Sequence, residues 1–121
     1  MTVVPRYCPL AQKTIRYHVN KDSQIESIIK RFIEVKSLDY TTAYGEKDAS
    51  FSSKGLFNTI LPGIRHARLK KDLNIFYKIH GKDPRYLDIY AVMTHDESGT
   101  GQPANHNKQR TTATRMSNQT F

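Results

Sequence analysis

The stretch Arg65-His66-Ala67-Arg68-Leu69-Lys70-Lys71-Asp72-Leu73-Asn74-Ile75-Phe76-Tyr77-Lys78-Ile79 decides the fold, because it reads as two strands joined by a tight reversal. From Ile64 to Lys70, strict alternation puts His66, Arg68 and Lys70 on one side and Ala67 and Leu69 on the other. From Leu73 to Ile79, the residues Leu73, Ile75, Tyr77 and Ile79 share a side. Lys71 and Asp72 fall where the chain must turn. A loop at His80–Arg85, with Gly81 and Pro84, reverses the chain again. The segment Tyr86–His95 then places Leu87, Ile89, Ala91, Met93 and His95 on one side and Tyr86, Asp88, Tyr90, Val92 and Thr94 on the other. Both sides are largely apolar, so this segment is expected to be the central strand.

Upstream of this sheet the pattern turns helical. Thr2–Tyr7, with Val3 and Val4, is short enough for one strand, and Pro9 suits the first turn of a helix running to about Val19. Ile15, Tyr17 and Val19 alternate with Thr14, Arg16 and His18, so a strand over Thr14–Val19 is the alternative. Ser23 and Glu26 have capping-box spacing, and Ile25, Ile28, Ile29, Phe32 and Val35 make one apolar stripe, with Lys30, Arg31, Glu34 and Lys36 facing away. Asn20–Asp22 would join the two helices as an antiparallel hairpin. Asp39–Lys54 is polar and aperiodic and reads as a loop, leading to the apolar Leu56–Leu61 and a turn at Pro62 and Gly63. The expected class is therefore α+β, a helical hairpin packed on a small antiparallel sheet. Residues 1–105 form the domain, and 106–121 form a polar helix, with Ala113 and Met116 on one side, or a disordered tail.

Composition narrows the partners. Nineteen Lys and Arg against eleven Asp and Glu leave a formal charge of +8 in 121 residues, with a sequence pI near 9.7. A polyanion is the natural ligand, because each cation that neutralises a phosphate releases a condensed counterion. Solubility alone, or adhesion to anionic lipid, is the plainer explanation of the same charge. The single Cys8 forms no internal disulfide, no apolar run has the length of a membrane span, and Met1–Leu10 has no signal-peptide core. A cytoplasmic location, with no membrane partner, is expected.

Charged and titratable groups concentrate at Arg65, His66, Arg68, Lys70, Lys71 and Asp72 and again at His95, Asp96 and Glu97. Cutting RNA without a metal needs a base for the 2′-OH, an acid for the leaving 5′-oxygen and cations for the developing phosphorane charge. These two segments hold all three, and histidine titrates near neutral pH. Each residue also has a structural explanation: a packed strand-end His95, a turn-forming Asp72, edge-strand charges at Arg68 and Lys70, and a core Tyr77. No HxxxH or CxxC pair marks a metal site, and Ser98-Gly99-Thr100-Gly101 lacks the GxxxxGK[ST] pattern of a phosphate loop, so no metal or cofactor is expected.

This arrangement resembles the RelE/ParE superfamily of bacterial toxins, and within it the YafQ-type messenger RNA interferases. The specific part is Arg65–Ile79 followed by Leu87-Asp88-Ile89-Tyr90-Ala91-Val92-Met93-Thr94-His95-Asp96-Glu97. The resemblance implies an endoribonuclease that cleaves mRNA on the ribosome and is held in check by a small antitoxin protein, which the basic charge suggests is acidic. It also implies roles. His95 matches the strand-end histidine acid or base, Asp72 the acidic residue five before the strand tyrosine, and Tyr77 that tyrosine. The family's other histidine usually lies four residues before the Asp, where this chain has Arg68; His66 lies six before and, by period two, on the same side. Arg65, Arg68, Lys70 and Lys71 are the expected RNA-binding cations. A non-catalytic gyrase poison on the same fold, or a basic RNA-binding domain, is the alternative. The chain departs from the family in its Gly-Thr-Gly-Gln-Pro segment and tail, which ends on Phe121.

Overall fold

The computed structural model describes residues 3–121, so Thr2 of the expected first strand lies outside the described residues. Ten elements follow one another: β1 (Val3–Tyr7), α1 (Pro9–Lys21), α2 (Gln24–Leu38), β2 (Ala49–Ser50), α3 (Leu56–Ile60), β3 (Arg65–Lys70), β4 (Leu73–His80), β5 (Arg85–Thr94), α4 (His95–Ser98) and α5 (His106–Ser117). The sheet order is β1-β5-β4-β3-β2. All pairs are antiparallel except β1 with β5, which run parallel because the α1/α2 hairpin and the next strands separate them in the chain. The α+β class is as read from the sequence. The middle position belongs to β4, while β5 is the longest strand and is paired on both sides.

α1 is helical throughout, so the alternation in Thr14–Val19 does not produce a strand. Its start is fixed by Pro9 in the first turn and by the Cys8 thiol, which accepts from the Ala11 N–H. α2 buries Ile25, Ile29 and Phe32 as its stripe requires, but its start differs from the expected capping box. Ser23 has helical backbone angles and makes no side-chain cap bond; the Gln24 N–H donates instead to Asp22 Oδ1 at 3.0 Å. Lys36 also departs from expectation. Its spacing from Ile25, Ile29 and Phe32 continues the apolar stripe, and it is buried, 1% exposed.

The two faces of the sheet are both covered. Tyr77 meets Phe32 of α2 on one face, ring centroids 5.1 Å apart, while Phe76 meets Phe51 and Phe57 on the other. α5 packs against α3 and contributes Thr112, Ala113 and Met116 to the interior. The sheet face opposite the helical hairpin is therefore filled along much of its length, and the candidate site is confined to the end where β3 turns into β4. Two register shifts interrupt simple alternation, one between Arg68 and Lys70 and one opposite Phe76 and Tyr77, where Tyr90 is the extra residue on β5. No helix among the described residues is long and apolar enough to cross a membrane.

Candidate active site

The β3–β4 connection is two residues, Lys71 and Asp72, and Asp72 closes it in the left-handed region at φ 62°. Aspartate tolerates this conformation better than most side chains. The turn aims the Asp72 carboxylate at the end of β5. Its Oδ1 accepts from the His95 N–H at 3.2 Å and lies 2.8 Å from His95 Nδ1. The other ring nitrogen, Nε2, lies 3.1 Å from the Asn74 amide nitrogen, which can only donate. The two contacts, one at each ring nitrogen, fix the orientation of the imidazole.

His95 stands just past the strand, as the first residue of the short helical turn α4. That turn is held by a capping box: the Glu97 N–H donates to Thr94 Oγ1 at 3.1 Å, and the Thr94 N–H donates to Glu97 Oε1 at 2.8 Å. His18 of α1 reaches the same Glu97 oxygen at 2.8 Å, tying α4 to the helical hairpin. The Thr-His-Asp-Glu spacing was readable as a cap in the sequence, and it stops β5 one residue earlier than alternation indicated.

His66 and His95 open onto one small cleft of about 150 Å³, lined also by Phe51, Asn74, Phe76 and Thr100. The His66 ring lies 4.3 Å from that of Phe51. Burial, followed by the nearby positive charge of His95 and Arg65, holds the His66 pKa below its ordinary value despite the opposing pull of Asp48. On its other side His95, with Asp72, borders a wider groove of about 670 Å³ walled by α4, the following loop and the start of α5. Arg68 and Lys71 are exposed nearby, and neither is ion-paired among the described residues.

Three of the expected site residues go elsewhere. Tyr77 is fully buried on the helical side of the sheet, where its hydroxyl donates to Asp48 Oδ1. Burial and the neighbouring Asp48 carboxylate raise its pKa, so it holds its proton. Arg65 is on that same side, donating to the Tyr77 hydroxyl at 3.2 Å and to Ser50 Oγ at 2.9 Å, with Asp48 at 3.5 Å. Lys70 is turned by the register shift away from His66 and Arg68, and it pairs with Asp22 at the helical hairpin turn. Phe121 stands edge-on to Tyr90, ring centroids 5.0 Å apart, and lines neither cleft. Among the described residues no three His, Cys, Asp or Glu side chains converge as metal ligands would.

The architecture has a counterpart of known structure. The fold is shared with a toxin. That structure, described as a YoeB/ParE toxin from Agrobacterium tumefaciens, superposes with a TM-score of 0.59 at 12% identity, over 78% of this chain and 99% of the toxin. At that identity the likeness is one of fold. No protein-family model and no curated protein matches the sequence.

The match accounts for nearly all of the toxin and leaves part of this chain outside it. The loop after α4 depends on Gly99, which has φ +83° and accepts from the Asn105 N–H and the Gln109 side chain, both at 2.9 Å. A Cβ there would lie 2.6 Å from Asn105 O and 2.8 Å from Gln109 N, both backbone atoms that cannot swing aside. Gly99→Ala is expected to destabilise the chain by at least about 1–3 kcal/mol from backbone strain alone, read as a lower denaturant midpoint. An unchanged midpoint would show that the loop tolerates a side chain.

Proposed function

We propose that the chain is a toxin of the RelE/ParE superfamily, acting as an endoribonuclease of the YafQ type on messenger RNA at the ribosome. The observation that carries this reading is the meeting of His66 and His95 on one cleft, with Asp72 against the far nitrogen of His95. Two imidazoles on one cleft can supply both the base and the acid that metal-independent cleavage needs. One removes the 2′-OH proton as that oxygen attacks phosphorus; the other protonates the departing 5′-oxygen, leaving a 2′,3′-cyclic phosphate and a free 5′-hydroxyl.

The environments divide the roles. His66 has a depressed pKa and no hydrogen-bond partner among the described residues, so it is neutral and free to accept the 2′-OH proton. His95 is the acid, presenting Nε2–H to the leaving oxygen, with Asp72 fixing the ring through Nδ1. Asn74 suits both states of His95, because its amide group donates to the neutral ring and its carbonyl accepts from the protonated one after a flip. Arg68 and Lys71 are the free cations for phosphate, and Lys70 and Arg65 serve the fold instead. A non-catalytic gyrase poison has no use for this pair of histidines. The +8 charge calls for an acidic antitoxin as the silencing partner in the cytoplasm.

Incubating the purified protein with a short messenger RNA on programmed ribosomes and mapping the products tests the chemistry: 2′,3′-cyclic phosphate ends are expected, and intact RNA would refute the reading. Arg68→Ala is expected to weaken RNA binding and to reduce the slope of log affinity against log salt by about 0.7, the loss of one single-strand phosphate contact. A slope equal to that of wild type would remove Arg68 from the interface.

A further inference from the structure

The segment Ser98–Pro103, which the reaction above leaves unused, shapes the wider groove beside His95. We propose that this groove is a nucleotide subsite, in which the side-chain amides of Gln102 and Asn107 hydrogen-bond the edge of the base next to the scissile phosphate. The inference rests on the reading of the protein as a ribonuclease.

Position is the first argument. Asp72 and His95 border the groove, so an occupant lies beside the imidazole assigned to protonate the leaving oxygen, next to the cleft that holds the scissile phosphate. A volume of about 670 Å³ admits a nucleoside with room for its backbone to enter and leave.

Preorganisation is the second. The loop is closed by the Asn105 N–H to Gly99 O at 2.9 Å and braced by the Thr100 N–H to His95 O at 3.0 Å. Lys108 Nζ donates to Asp96 O at 2.9 Å across the groove wall. Gly101 packs against His95, where a Cβ would already be in van der Waals contact with the His95 Cβ at 3.5 Å. These bonds fix the walls before any ligand arrives.

Chemistry is the third, and it selects a base over a phosphate. Asp72 and Asp96 line the groove beside His106 and Lys108, so it is not a field of one positive sign. Asn105 is spent capping α5, its Oδ1 accepting from the Lys108 N–H at 3.0 Å, and the Lys108 ammonium is held at the groove wall by the Asp96 backbone carbonyl. Gln102 and Asn107 are exposed and have no side-chain hydrogen bond among the described residues. Each amide offers a donor and an acceptor side by side, the pattern that reads the edge of an unstacked base.

Two measurements test this. The side-chain amide resonances of 15N-labelled wild type are followed during titration with a trinucleotide bearing 2′-O-methyl groups, which cannot be cleaved. The amides of Gln102 and Asn107 should shift together and saturate. In parallel, wild type and the Gln102→Ala/Asn107→Ala double variant, its fold checked by circular dichroism, cleave a pool of random-sequence messenger RNAs on translating ribosomes. The base preference beside the cut should flatten by about tenfold or more in the variant, the discrimination expected of a good bidentate contact. Unmoved amides, or an identical base preference in the variant, would overturn the subsite while leaving the nuclease reading intact. Shifted, saturating amides in a wild type that cuts no RNA would keep the groove as a nucleotide site and overturn the nuclease reading instead.

Discussion

His95→Gln is expected to lower single-turnover RNA cleavage by about 10²-fold to 10⁴-fold, the usual contribution of a positioned general acid or base. Glutamine approximates the size of the ring and keeps a hydrogen-bonding group near Asp72 and Asn74, but it does not carry a proton to the leaving oxygen. The substitution leaves the core untouched, because the His95 side chain is 35% exposed. Circular dichroism and thermal unfolding should therefore match wild type. His66→Gln should reduce cleavage as well, through loss of the base. Cleavage by His95→Gln within about threefold of wild type would return His95 to a structural role at the end of β5, since a surface histidine contributes almost nothing to rate.

The second large effect is on stability. Asp48 is the centre of a buried charge network: Lys36 Nζ lies 2.5 Å from its Oδ2, the Tyr44 N–H donates to Oδ2 at 2.8 Å, and the Tyr77 hydroxyl donates to Oδ1. Asp48→Ala leaves the Lys36 ammonium, 2% exposed, without a counter-ion inside the protein. Removing one partner of a buried pair costs about 3–5 kcal/mol, a large fraction of the roughly 5–15 kcal/mol that holds a domain folded. Lys36→Met should cost less, because Asp48 keeps Tyr77, Tyr44 and Arg65. Equal denaturant midpoints for Asp48→Ala and wild type would refute the network. Burial pushes the Asp48 carboxyl up, but the bonds from Lys36, Tyr77 and the Tyr44 N–H outweigh it and hold its pKa below the ordinary carboxylate value. Its folded pKa being depressed, its contribution is present above the unfolded value near pH 4 and is lost as pH falls through the folded one.

The difference between what was legible and what was not follows from the range over which each signal acts. The β3–β4 turn at Asp72, the helical stripe of α2 and the strand-end histidine are local patterns, and they place Asp72 and His95 within 2.8 Å. Alternation fails where an extra residue enters the ladder. The shift between Arg68 and Lys70 sends Lys70 to Asp22, and the one at Tyr90 separates the apolar residues of β5 into sets that strict period two does not give. Asp48 lay in a polar loop with no periodicity, and nothing local marks it as the carboxylate that Tyr77, Arg65 and Lys36 share. Lys36 was visible in principle, since it continues the spacing of Ile25, Ile29 and Phe32, but a lysine on an apolar stripe is ordinarily exposed. The fold likeness covers the toxin almost entirely, whereas the two-histidine cleft depends on His66 coming from a position two residues earlier than the family pattern provides.

Cleavage of messages, the activity proposed for this protein, can be observed in living cells. Its most direct test is to induce the wild-type chain in growing bacteria, map the ends of messenger RNA and, in the same cells, measure the supercoiling of a plasmid. Newly cut messages within minutes, arrested protein synthesis and unchanged supercoiling are expected, with growth restored when an acidic neighbouring protein is co-expressed. Intact messages together with gyrase trapped on DNA would contradict the proposal and assign the chain to the non-catalytic branch of the fold.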